Sequence, residues 1–306
     1  MDYPKPYLLL TEKECLRIFR FVRWSDGVYC PICGSRWLKK NGHYREYQRY
    51  LCKVCGGSFN DKTGTVFHYS HISLGVWFLV IYLAFVLEKS IRATAKEARL
   101  GYRACYRIVR IVMDRIYLSK VEARLRGVVE VDEFYVTAGL KGRGSCGKLG
   151  RPPRRRGLKP PPGRGTYGKD EPMLLNIYQR EGPLRLKVLE SSEPPLKQLV
   201  CQNVEAGSTV YTDDYPPYKL LGEEGYMHET VNHSQGEYAR GDIHINHDEA
   251  VVSLFKPWLA KHRGVNKCNL NIYAATCQTL YDMRGLSNCD KFWSIIKICL
   301  SNNIQQ

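Results

Sequence analysis

The sequence predicts an α/β protein in three parts: a cysteine-rich ribbon, a short helical region, and a larger domain in which strands precede helices. Three observations predict it. Two C-x-x-C pairs fall within one stretch rich in Gly, Tyr and Arg. Apolar residues then recur at helical spacing from Ile72 to about Leu118. From Val128 onward, short apolar runs alternate with turn signals before helical segments close the region.

The chain has 306 residues, enough for two or three domains and one sizeable core. Hydrophobic residues make up 44%, which excludes a disordered tail. The longest apolar run, Leu79 to Leu87, is about half the ~18 residues a membrane-spanning helix needs. The start, Met1-Asp2-Tyr3-Pro4-Lys5-Pro6, lacks a signal-peptide pattern, so the cytoplasm is the expected location and no membrane partner is expected. The formal charge of +16, from 46 basic and 30 acidic residues, favours a polyanionic partner, nucleic acid first.

The lead-in has one apolar face (Leu16, Phe19, Phe21, Val22), and Thr11 with Glu14 fits a capping box. Residues 24–70 form the ribbon and residues 71–120 the helical region. Leu74, Trp77, Phe78, Ile81, Tyr82 and Phe85 predict one helix, Ser90–Leu100 a second, and Arg103 to about Leu118 a third. The pair joined around Gly101 suits a helix-turn-helix; periodicity does not separate that from a small bundle. The α/β domain covers 127–285, with strands at 128–132, on both sides of Glu181-Gly182, and at 208–212. Helices are expected at Leu196–Val204, from Asp248 to about His262, and from Asn269 to about Met283. Residues 139–169 form a basic Gly/Pro insertion with Arg154-Arg155-Arg156, too polar to fold alone.

Cys30-Pro31-Ile32-Cys33 and Cys52-Lys53-Val54-Cys55 are separated by 18 residues, inside the window for structural zinc. Each knuckle turns two thiolates onto one ion, and two knuckles complete a tetrahedron. Four sulfur ligands leave no open position, so this Zn2+ is expected to be structural; a redox or disulfide pairing of the cysteines is the alternative. Arg36, Lys39, Lys40, Arg45 and Arg49, interleaved with Trp37, Tyr44, Tyr47 and Tyr50, offer a surface to a phosphate backbone or a solvated basic face.

Asp132 and Asp213 each end an apolar run, Val128–Val131 and Thr209–Thr212. A carboxylate at the end of a buried strand is costly unless paired or bound to metal. Adjacent strands would let both hold a divalent cation; alternatively both simply start turns. Each is followed by a second acid, Glu133 and Asp214. Further on, Asn246 precedes the expected helix that carries Glu249 and Lys256 about two turns apart on one face, with Pro257 as a potential kink. Such a pair can serve a phosphodiester, the acid toward metal and the lysine toward phosphate, or be an ordinary charged face.

The ordered set of motifs resembles a known family. After the two knuckles come Gly64-Thr65-Val66-Phe67-His68, the helix with Trp77, Val129-Glu130-Val131-Asp132-Glu133 and Gly139-Leu140-Lys141-Gly142-Arg143. Then follow Thr212-Asp213-Asp214-Tyr215, Thr230-Val231-Asn232-His233-Ser234 and Ile243-His244-Ile245-Asn246. This resembles zinc-ribbon-headed insertion-sequence transposases of bacteria and archaea, related to Merlin elements and part of the DDE superfamily. It spans about residues 24–285, departing at Val251-Val252, where an aromatic is usual, and over Asn271–Cys277.

The resemblance implies an RNase H-like catalytic domain. It implies a transposase that cuts and joins strands at an element's terminal inverted repeats. Carried over by position, the catalytic residues are Asp132, Asp213, Asn246 and Lys256, with Glu249 as an accompanying acid. Asp132, Asp213 and Asn246 would hold Mg2+, with Mn2+ as an alternative ion. Double-stranded DNA, both element ends and target, is the implied partner, bound by a homo-oligomer on the nucleoid. A DNA-binding protein without catalysis, inactive or domesticated, is the alternative.

Overall fold

In a computed structural model, the chain divides into two units: residues 1–119 with 285–306, and residues 120–284. The structure describes residues 11–120, 122–139, 170–190, 196–232, 235–237 and 239–301. The basic insertion expected at 139–169 therefore lies outside the described residues, apart from Gly139.

The first unit opens with α1, Glu12–Arg23. Its capping box is formed: Thr11 accepts from the Glu14 N–H, and the Glu14 carboxylate accepts from the Thr11 N–H, an arrangement worth about 1 kcal/mol. β1 (Leu38–Tyr44), β2 (Tyr47–Cys52) and β3 (Ser58–Asn60) make a three-stranded antiparallel sheet. Trp24, Cys30, Tyr50, Cys52 and Phe59 are its small core. So few apolar groups give a thin core. Arg20 on α1 joins it by an ion pair to buried Asp61 at 2.7 Å.

α2, Leu74–Ile81, continues as a π-helical turn over Tyr82–Val86. α3 (Ile91–Glu97) and α4 (Tyr102–Leu118) meet through a tight connection. Ser73 and Ser90 cap α2 and α3, respectively, by accepting the Val76 and Ala93 N–H groups. α8, Asn288–Leu300, returns to this unit and buries Phe292 and Trp293 against Phe78 of α2. No sequence pattern read in isolation had given this last helix a place.

The second unit holds a five-stranded sheet in spatial order β6-β5-β4-β7-β8. β4 is Val128–Tyr135, β5 Met173–Gln179, β6 Leu184–Leu189, β7 Thr209–Asp213 and β8 Met227–Val231. β4, β5 and β6 are antiparallel, whereas β7 and β8 run parallel to β4. This 3-2-1-4-5 order of a mixed sheet, with helices on both faces, is the RNase H-like arrangement that the motifs implied.

Strand alternation assigns the faces. Val129 and Val131 point into a core with Val200 of α5 (Leu196–Asn203) and Tyr218. Glu130, Asp132 and Phe134 take the other face, under α6 (Asn246–Ala260). Phe134 meets Phe255 of α6 edge-on, with centroids 5.5 Å apart, a contact adding ~1 kcal/mol to simple burial. α7, Leu270–Asp282, covers β6. The atypical segment Asn271–Cys277 thus forms regular helix, with Tyr273, Ala274 and Ala275 buried.

One expectation is corrected. α6 starts at Asn246, so Asn246 is its first residue and does not precede it. Pro257 lies inside α6, and the helix continues to Ala260.

Candidate metal centres and catalytic site

Cys30, Cys33, Cys52 and Cys55 point their sulfurs at one another, all within 4.8 Å. Cys30 and Cys55 are 3.6 Å apart, as are Cys33 and Cys52. A tetrahedral zinc with 2.3 Å bonds requires sulfurs about 3.8 Å apart, so the four thiols fit that ion. Gly34 and Gly56 follow the knuckles with φ of +75° and +70°, a conformation open to glycine at little cost. Backbone N–H groups of Cys55 and Val54 favour the Cys52 thiolate, while, against the Gly57 N–H, burial and hydrogen bonds with Cys33, Cys30 and Cys52 push the Cys55 thiol up, as expected when crowded sulfurs share protons.

In the second unit, the parallel pairing of β4 and β7 sets Val131 against Thr212. The next residue on each strand is an aspartate. Carboxylate oxygens of Asp132, Glu133 and Asp213 lie within 4.8 Å of one another. Burial above all, then the charges of Glu133, Asp213 and Glu249, pushes the Asp132 carboxyl up to about 7; the Glu133 N–H, donating to Oδ1 at 2.8 Å, pulls the other way. Glu133 Oε2 accepts from the buried Tyr218 hydroxyl at 2.9 Å. Asp213 Oδ1 accepts from the Tyr215 N–H at 3.2 Å. Three converging carboxylates are the oxygen donors a hard divalent cation takes.

Asn246 and Glu249 are exposed in the first turn of α6, on the helix that overlies Asp132. Glu249 is near enough to raise the Asp132 carboxyl through space. Lys256, two turns on, holds Nζ 5.8 Å from the ring of Phe134, the residue two beyond Asp132 on the same strand face. Asp132 and Asp213 thus share one cluster, while Asn246, Glu249 and Lys256 line the helix above the same face. Glu133 joins the carboxylate cluster although its sequence position alone had marked it only as a neighbour. Arg126, Tyr178, Arg180, Glu181, His247 and Arg284 line an open cleft in the same unit.

Residues 124–278 match the model of the ISXO2-like transposase domain, and residues 10–58 match the transposase zinc-ribbon domain. The chain is 38% identical over 272 residues to the uncharacterized protein in transposable element ISH50 of Halobacterium salinarum, covering 88% of this chain and 90% of that one. The chain belongs to the ISXO2-like DDE transposases.

Solved structures that resemble the transposase include the Mos1 transposase paired-end complex with left transposon end. It is 15% identical, covers 64% of this chain and 77% of that one, and has a TM-score of 0.25. The Mos1 Strand Transfer Complex is 14% identical, covers 70% and 76%, and has the same score. The strand order β6-β5-β4-β7-β8 carries the RNase H-like fold. The transposase is a metal-dependent enzyme of DNA transposition, with a four-cysteine ribbon suited to zinc and an acidic cluster suited to a divalent cation. Among the described residues, no helix is long and apolar enough to cross a membrane.

Proposed function

We propose that Asp132, Asp213 and Asn246, backed by Glu249, hold the catalytic cation, and that Lys256 meets the phosphate of the DNA strand being cut. The carboxylate convergence at the ends of two neighbouring parallel strands carries this reading. Mg2+ is the proposed ion, and Mn2+ would serve the same oxygen donors. A divalent cation held there supplies Lewis acidity, lowering the pKa of the attacking hydroxyl and offsetting charge on the leaving oxygen.

The residues themselves do the rest. Burial and the neighbouring carboxylates push the Asp132 carboxyl up to about 7, and a bound cation would favour its ionised form. The Tyr218 hydroxyl keeps Glu133 directed toward the cluster. Asn246 is a neutral oxygen donor, and Glu249 adds the charge it lacks. The exposed Lys256 ammonium would offset phosphate charge. Substrate is duplex DNA at the element's terminal inverted repeats and at the target, bound on the nucleoid in the cytoplasm by at least a dimer.

Three domains share the work in this reading: the ribbon over 24–70, the helical region over 71–120, and the catalytic domain over 127–285 with its insertion at 139–169. The exposed N-terminal face of α4, with Tyr102, Arg103, Tyr106 and Arg107, suits a DNA groove. The test is cleavage and joining of labelled terminal-repeat duplexes by zinc-loaded protein with Mg2+ or Mn2+. Asp132→Asn and Asp213→Asn should abolish both steps and leave repeat binding intact. Cleavage retained by either variant overturns the assignment.

A further inference from the structure

α6 begins without a cap of its own. Its N-cap residue is Ile245, whose side chain accepts no hydrogen bond. The free N–H groups of a first turn need an acceptor, and an anion there is favoured by the helix dipole. The acceptor comes from another element. Glu130, on β4 and 0% exposed, takes the His247 N–H on Oε2 at 3.0 Å. Its Oε1 takes His247 Nδ1 at 2.8 Å and Arg180 Nε at 2.7 Å.

Arg180, just past the end of β5, reaches the same stretch from a second nitrogen, Nη2, donating to the His244 carbonyl at 3.1 Å. Asn176, on β5, donates to the Asp248 carbonyl at 3.2 Å. Side chains of β4, of β5 and of the residue just after β5 therefore hold main-chain groups at positions 244, 247 and 248. Asn246 lies between them. Oxygen and nitrogen atoms of Glu130, His244 and His247 approach within 4.8 Å, a spacing a cation could use. The Arg180 guanidinium supplies the positive charge there instead.

We propose that the Glu130–Arg180 pair is a positioning clamp, setting Asn246 and Glu249 at the height of Asp132. Glu130 and Asp132 are two residues apart on one strand face, so the carboxylate that caps α6 and the carboxylate that binds metal ride on the same rigid element. Distance between the cation's donors is thereby fixed by β4 and not by the loop before α6. The inference rests on reading Asn246 as a metal ligand.

The test measures the Mn2+ concentration giving half-maximal cleavage of a terminal-repeat duplex, with zinc content and melting temperature recorded for each variant. Asn246→Ala serves as the reference for a lost ligand. Glu130→Ala should raise half-saturation tenfold or more, as loss of a supporting partner does, with rate largely recovered at saturating Mn2+. Glu130→Gln, which keeps an acceptor for the His247 N–H, should fall between it and the native protein. Arg180→Lys, which keeps the charge but loses the second reach to His244, should shift it in the same direction and decides the matter should Glu130→Ala fail to fold.

If Asn246→Ala shifts half-saturation while the Glu130 and Arg180 variants stay within twofold of native, the clamp is wrong and the catalytic reading stands. If Asn246→Ala shifts nothing, both are overturned.

Discussion

Asp132 and Asp213 stand one residue beyond the same step of a parallel strand pair, Val131 opposite Thr212. Their carboxylates meet because β4 and β7 are neighbours in the sheet, and Glu133 joins them. Burial and the neighbouring carboxylates together make the ionised form of Asp132 costly.

Replacement of Asp132 should therefore act in two directions. Asp132→Asn is expected to reduce metal-dependent cleavage by at least about 1,000-fold, because a donor and a charge are lost where charge develops. Without divalent cation it should stabilise the fold at pH 8, by on the order of 1 kcal/mol after solvent screening. Paired thermal melts and cleavage assays check both. A destabilised metal-free variant would contradict the repulsion.

The pH dependence follows from the same carboxyl. Its folded value, about 7, lies above the ordinary carboxylate range, so the protonated form favours folding. Stability from this group is full below about pH 4 and lost as pH rises through about 7. Cation binding must displace the proton. Mn2+ affinity is expected to improve about tenfold per pH unit below 7 and to level off above it, read by calorimetric titration at several pH values.

Asp248 makes a sharper case. It sits in the first turn of α6 with its side chain fully buried, and neither carboxylate oxygen has a hydrogen-bond partner among the described residues. Burial first, then Asp132 and Glu130, pushes its carboxyl well above the ordinary range. Asp248→Asn should stabilise the metal-free protein by about 1–3 kcal/mol at pH 8, and the gain should shrink as pH falls. Denaturant melts at pH 5 and pH 8 measure it.

Zinc removal should separate the two units. Chelation, or Cys33→Ser, is expected to unfold the β1–β3 sheet, whose core is only a few side chains, while the β4–β8 sheet keeps its protection. Hydrogen exchange followed by mass spectrometry reads the two regions separately. One zinc per chain by elemental analysis is the companion result.

DNA binding should be strongly salt-dependent. Arg103→Ala with Arg107→Ala on the exposed face of α4 is expected to weaken terminal-repeat binding at least about tenfold and to lower the log–log salt slope by about 2. An unchanged slope would remove α4 from the interface.

The chain's own order of residues determined the zinc site and the strand-and-helix alternation. Ligands three positions apart turn onto one ion by local geometry, and apolar periodicity is a property of neighbouring positions. Asp132 and Asp213 stood out for the same local reason, as acids closing apolar runs. Tertiary structure alone decided that those strands are adjacent, that Glu133 faces the same cluster, and that α8 rejoins the N-terminal unit. The start of α6 shows why. Local signals placed it at Asp248, an acid suited to a first turn, whereas its cap is Glu130, 117 residues away in the chain. A helix whose first N–H groups are satisfied from a distant strand carries no boundary mark in its own sequence.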